Sequence, residues 1–435
     1  MTTLIPNLRQ LRALVEVARG GGISAAGRAL HLTQPAVTQA LALLEGTVGA
    51  VLFERSSRGA APTAAGRLCC ARAERGLAHL AAGLPEAAKG ISGSGDYALR
   101  GVTAEQLEAL VVVVEEGGFG RAARAGGRAR TTVHSAVRRL ERALGTSLFE
   151  TTSHGMRPTR DAARLATAVR LAAAEFEQCR AELAAASGID RGITVIGAMP
   201  LARSVILPDA IVRFSAARPG HSIAILDGTY QNMLEALRHG KADVLIGALR
   251  DDPPGDVVQQ HLFNDPLAIV VRAGHPLIRA AGGVDRAPPL RALARFPWIA
   301  PRSGSPLRRQ FEQLLSASRG TPPAVPIECN SLAAARGLLL ASDRAMLLSA
   351  HQVHYELSAG QLVALPHPFG LVSRAIGLTT RRDWRPTDAQ AELIGLIRRI
   401  AIEQETNARP RPRSRGRARR GTPVARRASA LKGRG

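Results

Sequence analysis

The sequence predicts a mixed α and α/β protein with two tandem copies of a small helical unit, followed by an α/β domain of two layers. Residues 10–63 align with residues 106–159 at a constant offset of 96, with 23 of 54 positions identical. Apolar residues at heptad spacing follow each copy, and beyond residue 192 short apolar segments alternate with amphipathic ones. Because two copies are too few for a solenoid, we interpret the repeat as a duplicated small domain.

The composition is strongly basic. The chain has 435 residues and a formal net charge of +23, carried almost entirely by arginine. An excess of this size indicates a polyanionic partner, nucleic acid before a membrane. About half of it lies in residues 406–435, a low-complexity tail with no acidic residue. Such a tail cannot form a core, so we predict that it is disordered and either contacts DNA non-specifically or is merely solvated.

Several protein classes are disfavoured by what the sequence lacks. The four cysteines show no CxxC spacing, as expected of unpaired thiols in a reducing compartment. The chain has no run of 18 apolar residues and no basic-then-apolar signal in its first ten positions. Nucleophile-elbow, phosphate-loop and zinc-protease motifs are missing as well. We therefore expect a cytoplasmic protein that is not an enzyme and needs no cofactor and no metal.

The first unit, residues 1–89, is predicted to contain three helices and a hairpin. The first helix ends at a triple glycine. Ser24 is the expected N-cap of a short second helix. Thr33 is the expected N-cap of a third, in which Pro35 occupies the first turn, where its missing N–H costs little.

The third helix, predicted over residues 34–45, has one apolar and one polar face. Its polar face carries short side chains suited to base edges in a DNA major groove. A strand at residues 51–53 and a turn at 56–61 follow, where two arginines could meet phosphates. The candidate DNA-binding residues of this unit are Ser24, Thr33, Gln34, Pro35, Thr38, Gln39, Arg55 and Arg58.

The unit resembles a known family in an ordered set of motifs. These are Leu8-Arg9-Gln10-Leu11, Ala25-Ala26, Thr33-Gln34-Pro35-Ala36-Val37-Thr38, Leu44-Glu45, Leu52-Phe53-Glu54-Arg55 and Thr63-Ala64-Ala65-Gly66. Together they look like the winged helix-turn-helix of LysR-type transcriptional regulators. The resemblance implies that residues 34–44 form the recognition helix, and that a dimerisation helix follows the hairpin.

Each unit is followed by a candidate coiled-coil seam. The first is short and ends before residues 90–101, a stretch with Gly and Ser that we predict to be a flexible linker. The second is longer and directly precedes the α/β domain. By the resemblance, such helices join chains, so we expect a homodimer or homotetramer. The two seams are Cys70, Ala73, Leu77, Leu80 and Leu84, then Leu165, Val169, Ala172, Phe176, Cys179 and Leu183.

The second unit, residues 102–188, keeps the scaffold but changes the third helix. Ala129 replaces the cap Thr33, and Gly126-Gly127 replaces Leu30-His31, which should loosen the turn. One interpretation is an arginine-rich helix that still binds DNA; the other is a decayed copy kept for dimerisation or spacing. In the first case the DNA-binding residues are Arg130, Thr131, His134 and Arg138.

Residues 189–405 are predicted to form the two α/β layers and resemble the effector domain of the same regulators, itself similar to periplasmic solute-binding proteins. Ligands of such folds lie beyond the carboxyl ends of strands, between the layers. Arg250 and Arg302 would favour an anion there, and the helix that opens at Ser303–Ser305 offers it N–H groups. The candidate effector-binding residues are Ala198, Met199, Pro200, Gly228, Thr229, Gly247, Ala248, Ser303, Gly304, Ser305, Asn330 and Ser331.

The whole chain thus resembles a regulator in which a small molecule controls the spacing of DNA-bound helices. The expected partners are double-stranded DNA, a small-molecule effector, RNA polymerase and further copies of this chain, with no membrane. The duplication departs from the usual plan of one DNA-binding unit per chain. An architectural DNA-binding protein without effector response is the main alternative. A solute-binding component is less favoured, because it would have a signal peptide and no DNA-binding units.

Overall fold

A computed structural model describes residues 4–20, 22–56, 59–86, 88, 99–153, 155–204, 206–317 and 327–408. Arg58, most of the predicted linker and the basic tail from Arg409 onward lie outside this part of the chain, as does the side chain of Arg55. The helix that precedes the tail runs to Ala408, three residues beyond the predicted end of the last domain.

The first part of the chain folds into three helices, an antiparallel hairpin and a long helix. Ser24 does not cap the second helix, because that helix already begins one residue earlier and Gly22 takes the cap position. The predicted turn at 56–61 is largely strand, since Phe53 pairs with Pro62 and Ser56 with Gly59. The elements are α1 (Leu8–Gly20), α2 (Ile23–Leu30), α3 (Gln34–Val48), β1 (Phe53–Ser56), β2 (Gly59–Pro62) and α4 (Ala64–Gly83).

The same order of elements recurs in the next part of the chain. They are α5 (Ala104–Glu116), α6 (Phe119–Ala125), α7 (Arg130–Leu144), β3 (Phe149–Thr152), β4 (Gly155–Pro158) and α8 (Arg160–Ala186). Gly126-Gly127 retains the turn between α6 and α7 rather than opening it. Gly127 has φ 59, close to the φ of 55 at its counterpart His31, and glycine adopts this left-handed conformation at lower cost.

Both parts share one hydrophobic core. Leu11, Leu44 and Leu52 from the first are at most 2% exposed, and so are their counterparts at the offset of 96. All belong to one cluster that runs from Ile5 to Leu183. Leu99 is buried in this cluster too, within a short 3-10 turn at Leu99–Gly101. The end of the predicted flexible linker is therefore packed.

The two long helices α4 and α8 bury their seams against each other within the chain. All six predicted seam residues of α8 are buried. On the first seam, Ala73, Leu80 and Leu84 are buried as predicted, but Cys70 and Leu77 are only half-buried, and the residue before each of them is buried instead. The buried face of α4 includes Gly76 and Gly83. Because glycines carry no apolar side chain, the heptad pattern missed them.

The last part of the chain alternates strands with helices, as predicted. It comprises β5 (Gly192–Ala198), α9 (Ile206–Ala217), β6 (His221–Leu226), α10 (Tyr230–Arg238), β7 (Val244–Ala248), β8 (Val257–Arg272), α11 (Pro276–Ala281), α12 (Leu290–Leu293), β9 (Ile299–Ala300), α13 (Pro306–Ser316), β10 (Ile327–Glu328), α14 (Leu332–Ala341), β11 (Met346–Ser349), α15 (His354–Ser358), β12 (Leu362–Pro366), β13 (Ser373–Arg381) and α16 (Asp388–Ala408). The closing helix α16 was not predicted; it packs against α9.

In the described part of the chain, seven strands form one sheet, in the order β11-β8-β13-β7-β5-β6 with β12 also paired to β8. β5 runs parallel to β6 and β7, as expected for the first layer. β8 and β13 are long and antiparallel, and they pair from Pro266 and Ser373 back to Val257 and Arg381. β8 continues into the second layer, where it pairs with β11 and β12. These two strands therefore connect the layers.

A buried carboxylate lies where β8 passes between the layers. Asp265 is fully buried. Ser349 donates a hydrogen bond to it, His351 Nδ1 lies 2.9 Å from Oδ1, and Arg374 donates to Oδ2 at 2.7 Å. Burial alone would raise the pKa of Asp265, but the contacts with His351, Arg374 and Ser349 outweigh it and lower that pKa. One charged side chain thus ties β8, β11 and β13 together at the crossing between the layers.

Candidate DNA-binding and effector-binding sites

Helix α3 presents a neutral polar surface at its start. The Thr33 side chain accepts a hydrogen bond from the Ala36 N–H at 3.4 Å, so the predicted cap is present. Gln34, Pro35 and Gln39 are exposed and Thr38 is half-buried, while Val37, Leu41 and Leu44 point into the core. Gln34 also donates to the Ser24 hydroxyl. The structure therefore brings most of the predicted residues of this unit to one surface.

Helix α7 occupies the equivalent place but presents a basic surface. Arg130, Thr131 and His134 are exposed, and Ala129 supplies no side-chain cap. Arg138 is partly engaged elsewhere, because its guanidinium lies 3.0 Å from Glu141. Four arginines lie along α7, whereas α3 has neither Arg nor Lys. Helix α3 is thus suited to contacts with base edges, and helix α7 is suited to contacts with phosphates as well.

In the first layer of the α/β domain, the predicted effector residues lie at the ends of β5, β6 and β7. The Met199 N–H donates to the Ile246 carbonyl at 2.9 Å, and the Met199 side chain covers Gly247, where an added Cβ would lie 2.4 Å from Cγ. Ala198 is fully buried. Gly228 is exposed, and the Thr229 hydroxyl caps α10 by accepting from the Asn232 N–H at 3.2 Å.

In the second layer, Ser305 and Ser331 are helix caps, which accept from Arg308 N–H at 3.2 Å and Ala334 N–H at 3.3 Å. Gly304 and Asn330 are exposed. Ser303 donates to Glu328 at 2.8 Å, and this bond, with further help from nearby arginines, lowers the pKa of that carboxyl. A carboxylate already occupies the surroundings of Ser303, so a second anion would be repelled there.

One cluster of polar groups in the first layer was largely missed by the sequence analysis. The Arg250 guanidinium carbon lies 4.1 Å from the centroid of the Tyr230 ring, and the Arg250 N–H donates to Gln259 at 3.2 Å. Tyr230 Oη, Arg250 Nε and Gln259 Nε2 are buried without a hydrogen-bond partner among the described residues. Tyr230 directly follows the predicted Thr229, and Arg250, which the sequence already suggested as favouring an anion, lies two residues after the predicted Ala248. Gln259 lies on β8, and no feature of the sequence marked it as a site residue.

These features define a class of protein: a DNA-binding transcriptional regulator with a two-layer α/β effector domain. Residues 187–401 match the LysR substrate binding domain. Residues 8–67 and residues 104–163 each match the bacterial regulatory helix-turn-helix protein family of the lysR type.

Two curated relatives support the same assignment. The HTH-type transcriptional regulator GalR of Pseudomonas putida is 35% identical over 401 residues, which cover 92% of this chain and 98% of the relative. The HTH-type transcriptional regulator PcaQ of Agrobacterium fabrum is 31% identical over 307 residues, which cover 68% of this chain and 94% of the relative. This chain belongs to the LysR family of transcriptional regulators and is controlled through an effector-binding domain. The prediction that it is not an enzyme is confirmed by these relatives.

Solved structures agree on the fold. A full-length OxyR variant of Pseudomonas aeruginosa is 20% identical, with a TM-score of 0.50, and covers 68% of this chain and 93% of its own. Among the described residues, no helix combines the length and apolarity needed to cross a membrane.

Proposed function

We propose that both helical units are winged helix-turn-helix domains, over residues 1–89 and 102–188, and that both bind DNA. The observation that carries this proposal is the equivalent placement of α3 and α7. Each helix buries one apolar face in the shared core and leaves the opposite face of its first turns exposed. A helix held in this way by a rigid scaffold can enter a major groove.

The two helices differ in what they offer to DNA. Gln34 and Gln39 can form bidentate hydrogen bonds with adenine edges, so we assign base recognition chiefly to α3, with Thr38 and Pro35 beside them. Arg130 and Arg138 of α7 carry charges that phosphates attract, and His134 and Thr131 lie on the same exposed side. Phosphate contacts position a protein without specifying sequence. The second unit therefore supplies affinity and a different base preference.

A DNase footprint on the DNA upstream of the protein's own gene tests this division. With Gln34→Ala and Gln39→Ala together, we expect the discrete footprint to disappear. With Arg130→Ala and Arg138→Ala together, we expect weaker binding to all sequences. The slope of the logarithm of the binding constant against the logarithm of the salt concentration should also decrease in magnitude by about 1 to 2.

The matched control removes two arginines from the α/β domain, Arg291→Ala with Arg399→Ala, and should change neither property. Both side chains are exposed and far along the chain from α7. If the α7 variant behaved like this control, direct DNA binding by the second unit would be refuted.

We further propose that the effector lies between the layers of the domain at 189–405 and that it is an anion held at Arg250. The unpartnered atoms of Tyr230, Arg250 and Gln259 support this, because buried polar groups without partners are uncommon and costly. Their place beyond β6 and β7 also matches where such folds bind ligands. The candidate residues of both layers, from Ala198 to Ser331, remain the proposed lining. An architectural role without an effector would leave this cluster unexplained.

Coupling to DNA can run through the segment after β13. The carbonyls of Asp383 and Arg385 accept hydrogen bonds from Arg75 and Arg72 of α4, at 2.6 and 3.1 Å. Since β13 joins both layers, closure around an effector would move this segment against the long helices. We propose that this changes the spacing of the DNA-bound helices and hence access of RNA polymerase to a promoter, in the cytoplasm. It is allostery if effector and DNA prefer different states.

Thermal shifts with a panel of small carboxylates test the effector site. Arg250→Ala should abolish the shift given by the wild-type ligand, and Arg250→Lys should leave a weaker one, because an ammonium keeps the charge but not the planar pairing. Arg302→Ala is the matched control in the other layer and should retain the shift. The opposite pattern would place the anion beside Ser303 instead.

A further inference from the structure

The two long helices form an antiparallel pair inside one chain. Cys69 Sγ lies 3.1 Å from Cys179 Sγ near one end of the pair. Near the other end, an added Cβ on Gly83 would lie 2.2 Å from the Cβ of Ala168. The two units also touch outside these helices, where the Leu4 N–H donates to Glu108 of α5 at 2.6 Å.

The contacts are arranged about a pseudo-two-fold axis. The offset of 96 carries Cys69 onto Leu165 and Gly83 onto Cys179. Cys69 touches Cys179, and Gly83 lies against Leu165, whose Cα is 3.5 Å from the added Cβ position. Each of these contacts is therefore the counterpart of the other. The two units, and with them α3 and α7, are related as two subunits of a symmetric dimer would be.

The fit between the two helices is specific for one α4 and one α8. A Cβ on Gly76 would lie 2.9 Å from Cζ of Phe176, a distance at which the ring or the backbone must shift. The counterpart of Gly76 on α8 is Ala172, which has a Cβ. A pair of two α8 helices in this arrangement would press Phe176 against Ala172. Gly76 of α4 therefore accommodates Phe176 better than Ala172 of a second α8 would.

The charges select the same pair. Arg72 of α4 is 6% exposed and donates to Glu175 at 2.9 Å, Gln178 at 2.6 Å and Glu182 at 2.6 Å. The counterpart of Arg72 on α8 is Ala168, and the counterpart of Glu175 on α4 is His79. Two α8 helices would bury Glu175 without Arg72, and two α4 helices would give Arg72 a histidine in place of Glu175. An unpaired buried charge is strongly destabilising.

From these contacts we propose that a single chain supplies both recognition helices for one operator, and that this operator consists of two unlike half-sites. The proposal rests on the proposed function, since it takes both units to bind DNA. One half-site is contacted by α3 with Gln34 and Gln39, and the other by α7 with Arg130 and His134. Because the pair is held by packing and buried charges within the chain, half-site spacing is fixed. Binding of the two half-sites requires no second chain.

A disulfide trap tests the pairing without DNA. In full-length protein carrying Cys70→Ser and Cys329→Ser, only Cys69 and Cys179 remain. Their sulfurs are close enough for a disulfide after a small movement, so copper-catalysed air oxidation should consume both thiols and leave the mass of one chain on a non-reducing gel. Adding Cys179→Ser is the control and should retain one free thiol. A covalent two-chain product through Cys69 and Cys179 would overturn the proposal.

A DNA experiment on the same chain tests the unlike half-sites. Footprints should show both half-sites protected over the same protein concentrations, for the trapped protein as for the reduced one. Replacing the α7 half-site with a second copy of the α3 half-site should weaken binding at least about tenfold, and inserting five base pairs should weaken it about 100-fold, since the half-sites then face opposite sides of the helix.

The outcomes separate this proposal from the proposed function. An intrachain disulfide with only the α3 half-site protected would refute DNA binding by the second unit, and with it the unlike operator. A two-chain disulfide with both half-sites protected would overturn the single-chain arrangement and leave two DNA-binding units. A duplicated α3 half-site bound as well as the natural site would also overturn the proposal.

Discussion

The two helical units of this regulator have the same backbone and different exposed helices. Counterpart core residues such as Leu44 and Leu140 are equally buried, and both hairpins pair in the same register. On the outside, α3 has a threonine cap and glutamines, while α7 has no side-chain cap and four arginines. The residues that pack in the core are therefore alike in the two units, whereas the residues exposed on α3 and α7 differ.

The long helices differ in a complementary way. α4 contributes small and positively charged residues at positions where α8 contributes large and negatively charged ones: Gly76 faces Phe176, and Arg72 faces Glu175. Copies that start alike can exchange partners freely. When two copies differ at the surface through which they pair, as α4 and α8 do, the pair of unlike helices is favoured. The pairs of like helices are then disfavoured by steric or charge penalties.

The largest expected effect comes from Arg72→Ala. It leaves the buried Glu175 with Arg75 as its remaining arginine partner and removes the arginine that pairs with Glu182, so the free energy of unfolding should fall by about 3–5 kcal/mol. Urea unfolding followed by circular dichroism measures it, with tryptophan fluorescence as a separate report on the α/β domain, which holds both tryptophans. Arg164→Ala, at the other end of the same pair, is the control; its side chain is 40% exposed, and a loss of under about 1 kcal/mol is expected. Equal losses would contradict the assignment.

The pH dependence of the pair should follow Glu175. Burial would raise its pKa, but the contacts with His79, Arg75 and Arg72 outweigh burial and lower it from 4.5 to about 2. A carboxyl whose folded pKa is depressed stabilises the fold above its unfolded pKa and loses that contribution as pH falls. The advantage of wild type over Glu175→Gln, on the order of 3 kcal/mol at neutral pH, should shrink between pH 5 and pH 2. A difference that is constant over this window would exclude the mechanism.

Replacing two helical glycines by alanine should give effects of opposite sign. Gly76→Ala overpacks the contact with Phe176 and should cost about 1–3 kcal/mol. Gly46→Ala in α3, where nothing lies within 4 Å of the added Cβ, should stabilise by about 0.5–1 kcal/mol through higher helix propensity. Thermal unfolding measures both. If Gly76→Ala were also stabilising, the close fit between α4 and α8 would be disproved.

The smallest expected effect concerns the two caps. Thr33→Ala should destabilise α3 by about 1 kcal/mol, and Ala129→Thr should stabilise α7 by a similar or smaller amount. Because both positions immediately precede a helix that we propose to contact DNA, amide hydrogen exchange in the first turn of each helix is the suitable measurement. Exchange should become faster in α3 of the first variant and slower in α7 of the second. The same direction in both would show that the two turns are not equivalent.

The predictions from sequence succeeded where a regular pattern carries the information. The 3.6-residue pattern predicted α3 from its first residue, and the alternation of apolar and amphipathic segments predicted the two α/β layers. The hairpin strands were displaced and Ser24 was wrongly assigned as a cap, because short elements have too few residues to fix their ends. The end helix α16 was missed, since no motif marked it.

The predictions of site residues also succeeded where a local pattern was available and failed where the contacts join distant parts of the sequence. Thr33 and Ser305 cap helices as their residue types suggest, and Gln34, Gln39 and Arg130 are exposed as their helical positions require. Arg250 was expected from sequence to favour an anion, but its grouping with Tyr230 and Gln259 could not be predicted, because the cluster joins the ends of two strands to a residue on a third. Glu328 beside Ser303 was also invisible, since these residues are distant in sequence and adjacent only in the fold.

The sequence by itself determined the family, the internal repeat and the chemical difference between α3 and α7, because these depend on residue identity at fixed spacing. Only the tertiary structure decided which partner each long helix has. A heptad pattern predicts that one face of a helix is buried, but it does not identify the surface against which that face packs. The answer depends on which surfaces fit: Gly76 leaves room for Phe176, and Arg72 meets Glu175 and Glu182 across the pair. Those contacts exist only once both helices are in place.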